Sequence, residues 1–287
     1  MNSFDYASAF SRNIGWITEE EQSVLRDTRV AIAGMGGVGG AHLLTLVRLG
    51  IGHFHIADFD EFGVENTNRQ AGARTSTYGK KKADTLRSMA LDINPELDIK
   101  VFDEGVNRHN LEHFFLKVDL YIDGLDFFAF DARELVFHHC YQHHIPAVTA
   151  APLGTGAATL VFMPKRTSFE QYFGFKGQSE TEKSLRFFVG LAPSMAHASY
   201  LVDPSRVDLE ARKGPSTIMG CEMCAGVAAT QALKILTGRG RVLAAPHGLQ
   251  YDPFINRVNH TWRPGGYRNP LTRFVMHKVR QAFLSTP

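Results

Sequence analysis

At 287 residues the chain is long enough to bury a sizeable core, as one large α/β domain or one domain with insertions. Its composition is 44% hydrophobic and 21% charged with a net charge of +2, which excludes polyanion binding by the molecule as a whole and leaves any basic feature local. No run approaches the ~18 to 20 apolar residues of a membrane span, the first residues show no apolar signal core, and Cys140, Cys221 and Cys224 make no disulfide framework, so the expected setting is cytoplasmic and reduced.

Residues 1–28 read as an N-terminal arm. Thr18 and Glu21 fit a capping box, which predicts a helix from about Glu19 to Arg26. Arg12, ahead of it, reads by itself as a surface arginine. A nucleotide-binding core follows over 29–163. It opens with a β-type run, Val30 to Ala33, and a turn containing Gly34, Gly36, Gly37, Gly39 and Gly40. A helix to Leu49 and a strand from His53 to Ala57, closing on Asp58, complete a dinucleotide-type unit. Glycines let backbone approach a phosphate closely, the helix start points N–H groups at the anion, and the acid accepts from ribose hydroxyls. The pattern Gly34-x-Gly36-x-x-Gly39 favours a nucleotide site over a structural turn. It does not choose between NAD, FAD and ATP.

Residues 64–70, with Asn66 and Arg69, form a polar loop where open α/β sheets place ligands. Lys80, Lys81 and Lys82 then lead into a helix from Ala83 to Leu91. Three lysines there oppose the helix macrodipole, unless one of them faces a phosphate. Strands are expected over Asp98–Phe102 and Val118–Asp123, with a helix from Asn107 to Leu116 between them. Asp126, just past the second of these strands, is either a metal ligand or the N-cap of the next helix, Ala129 to His143. Strands over 145–150 and 157–163 continue the alternation. The fold class is α/β, a doubly wound, mainly parallel, Rossmann-like sheet with an irregular insertion and a C-terminal extension.

Residues 164–219 lose periodicity and read as that insertion, covering the nucleotide crevice or docking a partner. Residues 220–260 complete the domain. There Cys221-x-x-Cys224 opens a helix from Ala225 to Leu236, and Leu249 to Val258 suggests a strand or hairpin. The cysteine pair reads as helix-start packing, as reactive thiols activated by a helix N-terminus, or as a share in a zinc site. It is only half of a zinc ribbon, so no ribbon is expected. The tail, 261–287, is basic and amphipathic, and reads as a docked helix with a solvated basic face.

Taken together these residues resemble the ThiF/MoeB/HesA family of ubiquitin-activating-enzyme-like adenylyltransferases. The resemblance rests on Gly34-Met-Gly-Gly-Val-Gly39, Asp58-Phe-Asp60, Asn66-Thr-Asn-Arg-Gln70, Gly79-Lys-Lys-Lys82 and Asp123-Gly-Leu-Asp126, in this order. It implies ATP as the nucleotide. By it, the Gly34–Gly39 loop lies along ATP, Asp58 binds ribose, and Asp60 assists at the site edge. Asn66, Arg69 and Lys82 contact phosphates, and Asp126 holds Mg²⁺. Phe10-Ser-Arg12-Asn is similar to the family's R-Y-S-R-Q segment, which implies an arginine finger crossing a two-fold interface, hence a homodimer. The implied reaction is adenylation of a carboxylate, with the C-terminal glycine of a ubiquitin-like or sulfur-carrier protein as acceptor. The chain departs from the family at Phe127, where an asparagine is common, and places no catalytic thiol, so the reaction is expected to stop at the acyl-adenylate. The alternative reading is a tRNA threonylcarbamoyladenosine dehydratase-like enzyme, in which the basic tail touches tRNA. The glycine loop alone predicts an NAD-dependent oxidoreductase, and Phe127 also admits a non-catalytic scaffold.

Overall fold

A computed structural model of the chain describes residues 4–208, 211 and 213–284. Residues 1–3 of the arm and 285–287 of the tail therefore lie outside the described residues. The arm holds α1 (Tyr6–Phe10) and α2 (Glu19–Asp27). At the start of α2, Thr18 Oγ1 accepts from the Glu21 N–H at 3.1 Å and Glu21 Oε2 accepts from the Thr18 N–H at 3.0 Å, completing the capping box.

The core alternates as expected. Strand β1 (Arg29–Ala33) leads to α3 (Gly37–Leu49), β2 (His53–Ala57), α4 (Lys82–Ile93) and β3 (Asp98–Phe102). A short α5 (Leu111–Phe114), β4 (Leu120–Asp123), α6 (Phe130–Gln142), β5 (Ala147–Leu153) and β6 (Gly156–Phe162) follow. Eight strands form one sheet in the order β3-β2-β1-β4-β5-β6-β7-β8. Strands β3 to β5 are parallel, and β5 through β8 pair antiparallel, so the sheet is mixed. The chain reverses direction across the sheet between β1 and β4, the switch point at which such sheets leave a crevice. The register Ala33↔Ala57 and Ala33↔Asp123 brings the carboxyl ends of β1, β2 and β4 level.

Helices cover both faces. One core gathers Ile32, Leu43, Leu86 and Ala228, and the other gathers Tyr121, Phe137, Phe173 and Phe187. The second corrects the expectation for residues 164–219. That stretch contains α7 (Phe169–Phe173) and α8 (Glu180–Leu191), started by the side chains of Ser168 and Ser179. Its Phe169, Tyr172, Phe173, Phe175 and Phe187 are buried. They pack the sheet face, while the Ser216 carbonyl of the same stretch accepts from Asn68 Nδ2 at 3.0 Å, on the polar loop of residues 64–70. Helix α9 (Ile218–Thr237) packs against α3, β5 and β6, and the hairpin β7 (His247–Asp252) and β8 (Arg257–Trp262) closes the sheet. The tail is α10 (Pro270–Leu284), docked on α8 through Met276 and Val279, with Arg280 bonded to Glu182 at 2.7 Å. Among the described residues, no helix is long and apolar enough to cross a membrane.

Candidate active site

The crevice is built first from backbone. Gly34 sits at φ +87°, and a Cβ there would lie 2.1 Å from the Gly124 carbonyl oxygen. A Cβ on Gly39 would lie 1.7 Å from the Gly34 carbonyl oxygen. The turns after β1 and β4 therefore touch main chain to main chain, which no side chain permits. Helix α3 starts at Gly37 with Gly36 as N-cap and no side-chain cap, so its first N–H groups remain available to an anion.

Asp58 fastens this turn to the end of β2. Its Oδ2 accepts from the Met35 N–H at 2.6 Å and its Oδ1 from the Asp60 N–H at 2.7 Å. Burial pushes its pKa up, opposed by those two N–H donors and by Lys82. Lys82 itself is held by Asp60: Nζ lies 3.1 Å from Asp60 Oδ2, and the Lys82 N–H donates to the Asp60 carbonyl at 2.9 Å. The lysine side chain is 9% exposed, and Asp60 is half-exposed. The three-lysine run thus divides. Lys80 is exposed, Lys81 pairs with Asp103 at 3.0 Å, and Lys82 turns inward.

Asn66 is buried, and its Oδ1 accepts from the Gly63 N–H at 3.0 Å, leaving the Nδ2 donor. The Arg69 stem lies against the glycine turn, since a Cβ on Gly37 would be 3.5 Å from Arg69 Cγ. Its guanidinium bonds the Glu65 carbonyl at 3.1 Å and Asn68 Oδ1 at 2.9 Å. Gln70, to which the sequence assigned no role, is buried beside Gly36 with its Oε1 unpartnered.

Cys221 reaches the same place: its Sγ would be 2.9 Å from a Cβ on Gly37. Electrostatics weigh against the reactive-thiol expectation. Helix α9 begins at Ile218 under a Thr217 cap, so Cys221 lies in its first turn, with its N–H donating to the Thr217 carbonyl at 3.2 Å, and Cys224 lies one turn further in. Burial pushes the Cys221 thiol up despite Ser216 and Arg69, and pushes Cys224 well up.

Asp126 is exposed on the loop after β4. Its Oδ1 accepts from the Phe128 N–H at 3.0 Å, so it shapes its own turn and does not cap α6, whose N-cap is Ala129. The loop is held from beneath by a residue that sequence reading missed. Arg133 Nε donates to Asp123 at 2.9 Å, and its Nη groups donate to the carbonyls of Leu125, Asp126 and Phe127 at 2.9, 2.9 and 3.1 Å. Asp123 also accepts from Thr149 Oγ1 at 2.9 Å. The available signal was a lone arginine in the first turn of α6, ten residues after Asp123. Phe127, where an asparagine was expected, packs its ring on Phe187 at 5.1 Å.

Arg12 stands apart. It is exposed, and neighbouring Asn13 bonds the Leu49 carbonyl at 3.2 Å, at the far end of α3. A helix of this length spans ~20 Å, so Arg12 does not join the glycine turn of its own chain. The remaining groups supply N–H donors, a lysine, an arginine and a carboxylate around a cradle that a Cβ would fill. That donor set fits a polyphosphate with a divalent cation.

The family model for ThiF matches residues 10–270. The chain belongs to the ThiF family. The tRNA threonylcarbamoyladenosine dehydratase of Bacillus subtilis is 32% identical to this ThiF chain over 142 residues, 49% of the chain and 55% of that protein. The sulfur carrier protein ThiS adenylyltransferase of Escherichia coli is 26% identical over 166 residues, 57% of the chain and 65% of that protein. The chain spans about half the length of several curated relatives it matches. Among solved structures, E. coli MccB with ATP superposes with a TM-score of 0.65 at 19% identity, over 88% of this chain and 70% of that one. At that identity the likeness shows the fold, the doubly wound sheet with its C-terminal helical extension.

Proposed function

We propose that this ThiF-family chain is an ATP-dependent adenylyltransferase, which joins AMP to a carboxylate and releases pyrophosphate. The acceptor proposed is the C-terminal glycine of a small ubiquitin-like or sulfur-carrier protein. The observation that carries this reading is the convergence of Lys82, Arg69 and the Asp126 loop on a cradle closed by Gly34, Gly39 and Gly124. A nicotinamide site uses a glycine turn and an acid, and has no use for those further charges.

ATP with Mg²⁺, when bound, supplies the α-phosphorus under attack and the pyrophosphate leaving group. The N–H groups at the start of α3 face the phosphates, and Asp58 accepts from the ribose. Lys82 and Arg69 offset negative charge as it builds on the leaving group, the kind of preorganised stabilisation that dominates such reactions. Asp126 offers its carboxylate to the cation. No general base is needed, because the acceptor carboxylate is ionised at neutral pH. Arg12 acts from the second subunit of a homodimer, since in its own chain it is a helix length from the cradle.

The test is ATP–pyrophosphate exchange with purified carrier proteins as acceptors. Asp126→Ala is expected to abolish the exchange, and undiminished exchange in that variant would remove the metal role from Asp126. A second reading, activation of a carboxylate on tRNA, is favoured by the 32% identity to the B. subtilis dehydratase. It predicts tRNA binding that weakens steeply with salt, and no response to a carrier protein.

A further inference from the structure

Helix α6 starts beside the loop after β4 and runs back to the amino ends of β4 and β5. There three side chains from two elements converge, and none of them has a part in adenylation. His139 and His143 are four residues apart, about one helical turn, and their rings stack with centroids 4.1 Å apart at 20°. Glu112, from α5, places Oε1 3.7 Å from His139 Nδ1. One donor atom of each residue lies within 4.8 Å of the other two, and no other group of three histidine, cysteine or carboxylate side chains does so among the described residues.

His139 is nearly buried and stacks on Phe115 at 4.6 Å, which fixes its ring. Glu112 is 76% exposed, and His143 is exposed at the C-cap, where its N–H still donates to the His139 carbonyl at 2.9 Å. One anchored ligand and two movable ones suit an incoming ion. Tetrahedral coordination at ~2.0 Å per bond brings donor atoms to ~3.3 Å from one another. The two exposed side chains close that gap by rotating about their own bonds.

We propose that Glu112, His139 and His143 form a binding site for a divalent transition-metal ion, with zinc favoured by the donor set. Two imidazole nitrogens and one carboxylate oxygen suit zinc, whereas calcium and magnesium take oxygen ligands almost throughout. Water fills the fourth position. The ion acts as a clip. Helix α5 precedes β4 and α6 follows it, so the metal ties together the segments flanking the strand whose other end carries Asp123 and the Asp126 loop. Helix α6 is then held at one end by Arg133 and at the other by the ion.

The experiment uses untagged full-length protein, stripped with a chelator and titrated with Zn²⁺, then with Co²⁺ as a coloured probe. Wild type, His143→Ala and Glu112→Gln are compared. The expected results are one ion per chain, visible Co²⁺ absorption of the tetrahedral kind, and a higher unfolding temperature with Zn²⁺. Loss of even an outer-shell partner weakens metal binding ~10- to 100-fold, so His143→Ala should weaken it by at least about 100-fold and abolish the thermal rise. Both altered positions are exposed, and without metal both variants should unfold at the wild-type temperature. Wild type that takes up no zinc, or variants that bind it as tightly as wild type, would overturn the proposal.

Discussion

Arg133 on α6 donates to Asp123 at the end of β4 across 2.9 Å, and each side chain is 2% exposed. The same guanidinium gathers three successive carbonyls, Leu125 to Phe127. The loop that presents Asp126 is therefore fixed by one buried cation and one buried anion. Breaking such a pair from one side strands the other charge, at a cost of ~3–5 kcal/mol. Arg133→Met should destabilise the protein by about that amount in urea unfolding. Asp123→Asn should cost less, because the amide oxygen still accepts from Arg133. Equal stability of Arg133→Met and wild type would show that the pair does not hold the loop.

The two glycine contacts make a sharper contrast. Gly34→Ala and Gly39→Ala each force a Cβ into main-chain carbonyl oxygen. Both should lose nucleotide binding along with stability. A Cβ on Gly36 meets nothing nearer than Gln70 Nε2 at 3.7 Å. Gly36→Ala should therefore fold with wild-type stability, as read by circular dichroism melting. A melt equally lowered in all three would mean the turn is generally intolerant of side chains.

Lys82 and Asp60 should separate in kinetics. Lys82 is buried, and Asp60 is its half-exposed partner. Removing one preorganised donor from a developing anion costs roughly 10²–10³ in rate. Lys82→Met should show that loss in pyrophosphate exchange, and Asp60→Asn only a few-fold loss. Equal losses would make Asp60 a direct participant.

His42, in the first turns of α3, is fully buried with both ring nitrogens unpartnered. Burial lowers its pKa to about 4, with Asp123 opposing. Its folded value is depressed, so the unfolded chain takes up a proton first as the solution is acidified. This group then withdraws stability from about pH 6.5 downward, reaching roughly 3 kcal/mol near pH 4. His42→Leu should flatten the acid limb of a stability–pH curve while changing little above pH 7. An unchanged acid limb would place the sensitivity elsewhere.

The parts of the fold that follow local rules were readable in the chain. The Thr18–Glu21 box, the glycine turn and the β–α alternation are each written within a few adjacent residues. Helix α7 was not, because five residues are too few to show a helical period, and α8 was missed although its Ser179 cap and apolar face lie within the sequence. The cysteine pair was misplaced along with its helix start. Helix α9 starts at Ile218, seven residues before the Ala225 start read from the apolar run, and that shift puts Cys221 in its first turn and Cys224 in its second. The Asp123–Arg133 clamp joins residues that only the β4-to-α6 crossover brings together. No spacing rule announces it. Family motifs identified the residues around the cradle, but Asp60's hold on Lys82 and the remoteness of Arg12 needed three dimensions.

The cradle is expected to take a triphosphate with a divalent cation. Thermal unfolding with MgATP, with ATP plus a chelator, and with NAD tests it most directly. A ligand at about a hundred times its Kd adds roughly 2.7 kcal/mol, which for a protein of this size raises the midpoint by roughly 5 °C. That rise is expected with MgATP, a smaller one with chelator present, and none with NAD. A rise with NAD and none with MgATP would contradict it.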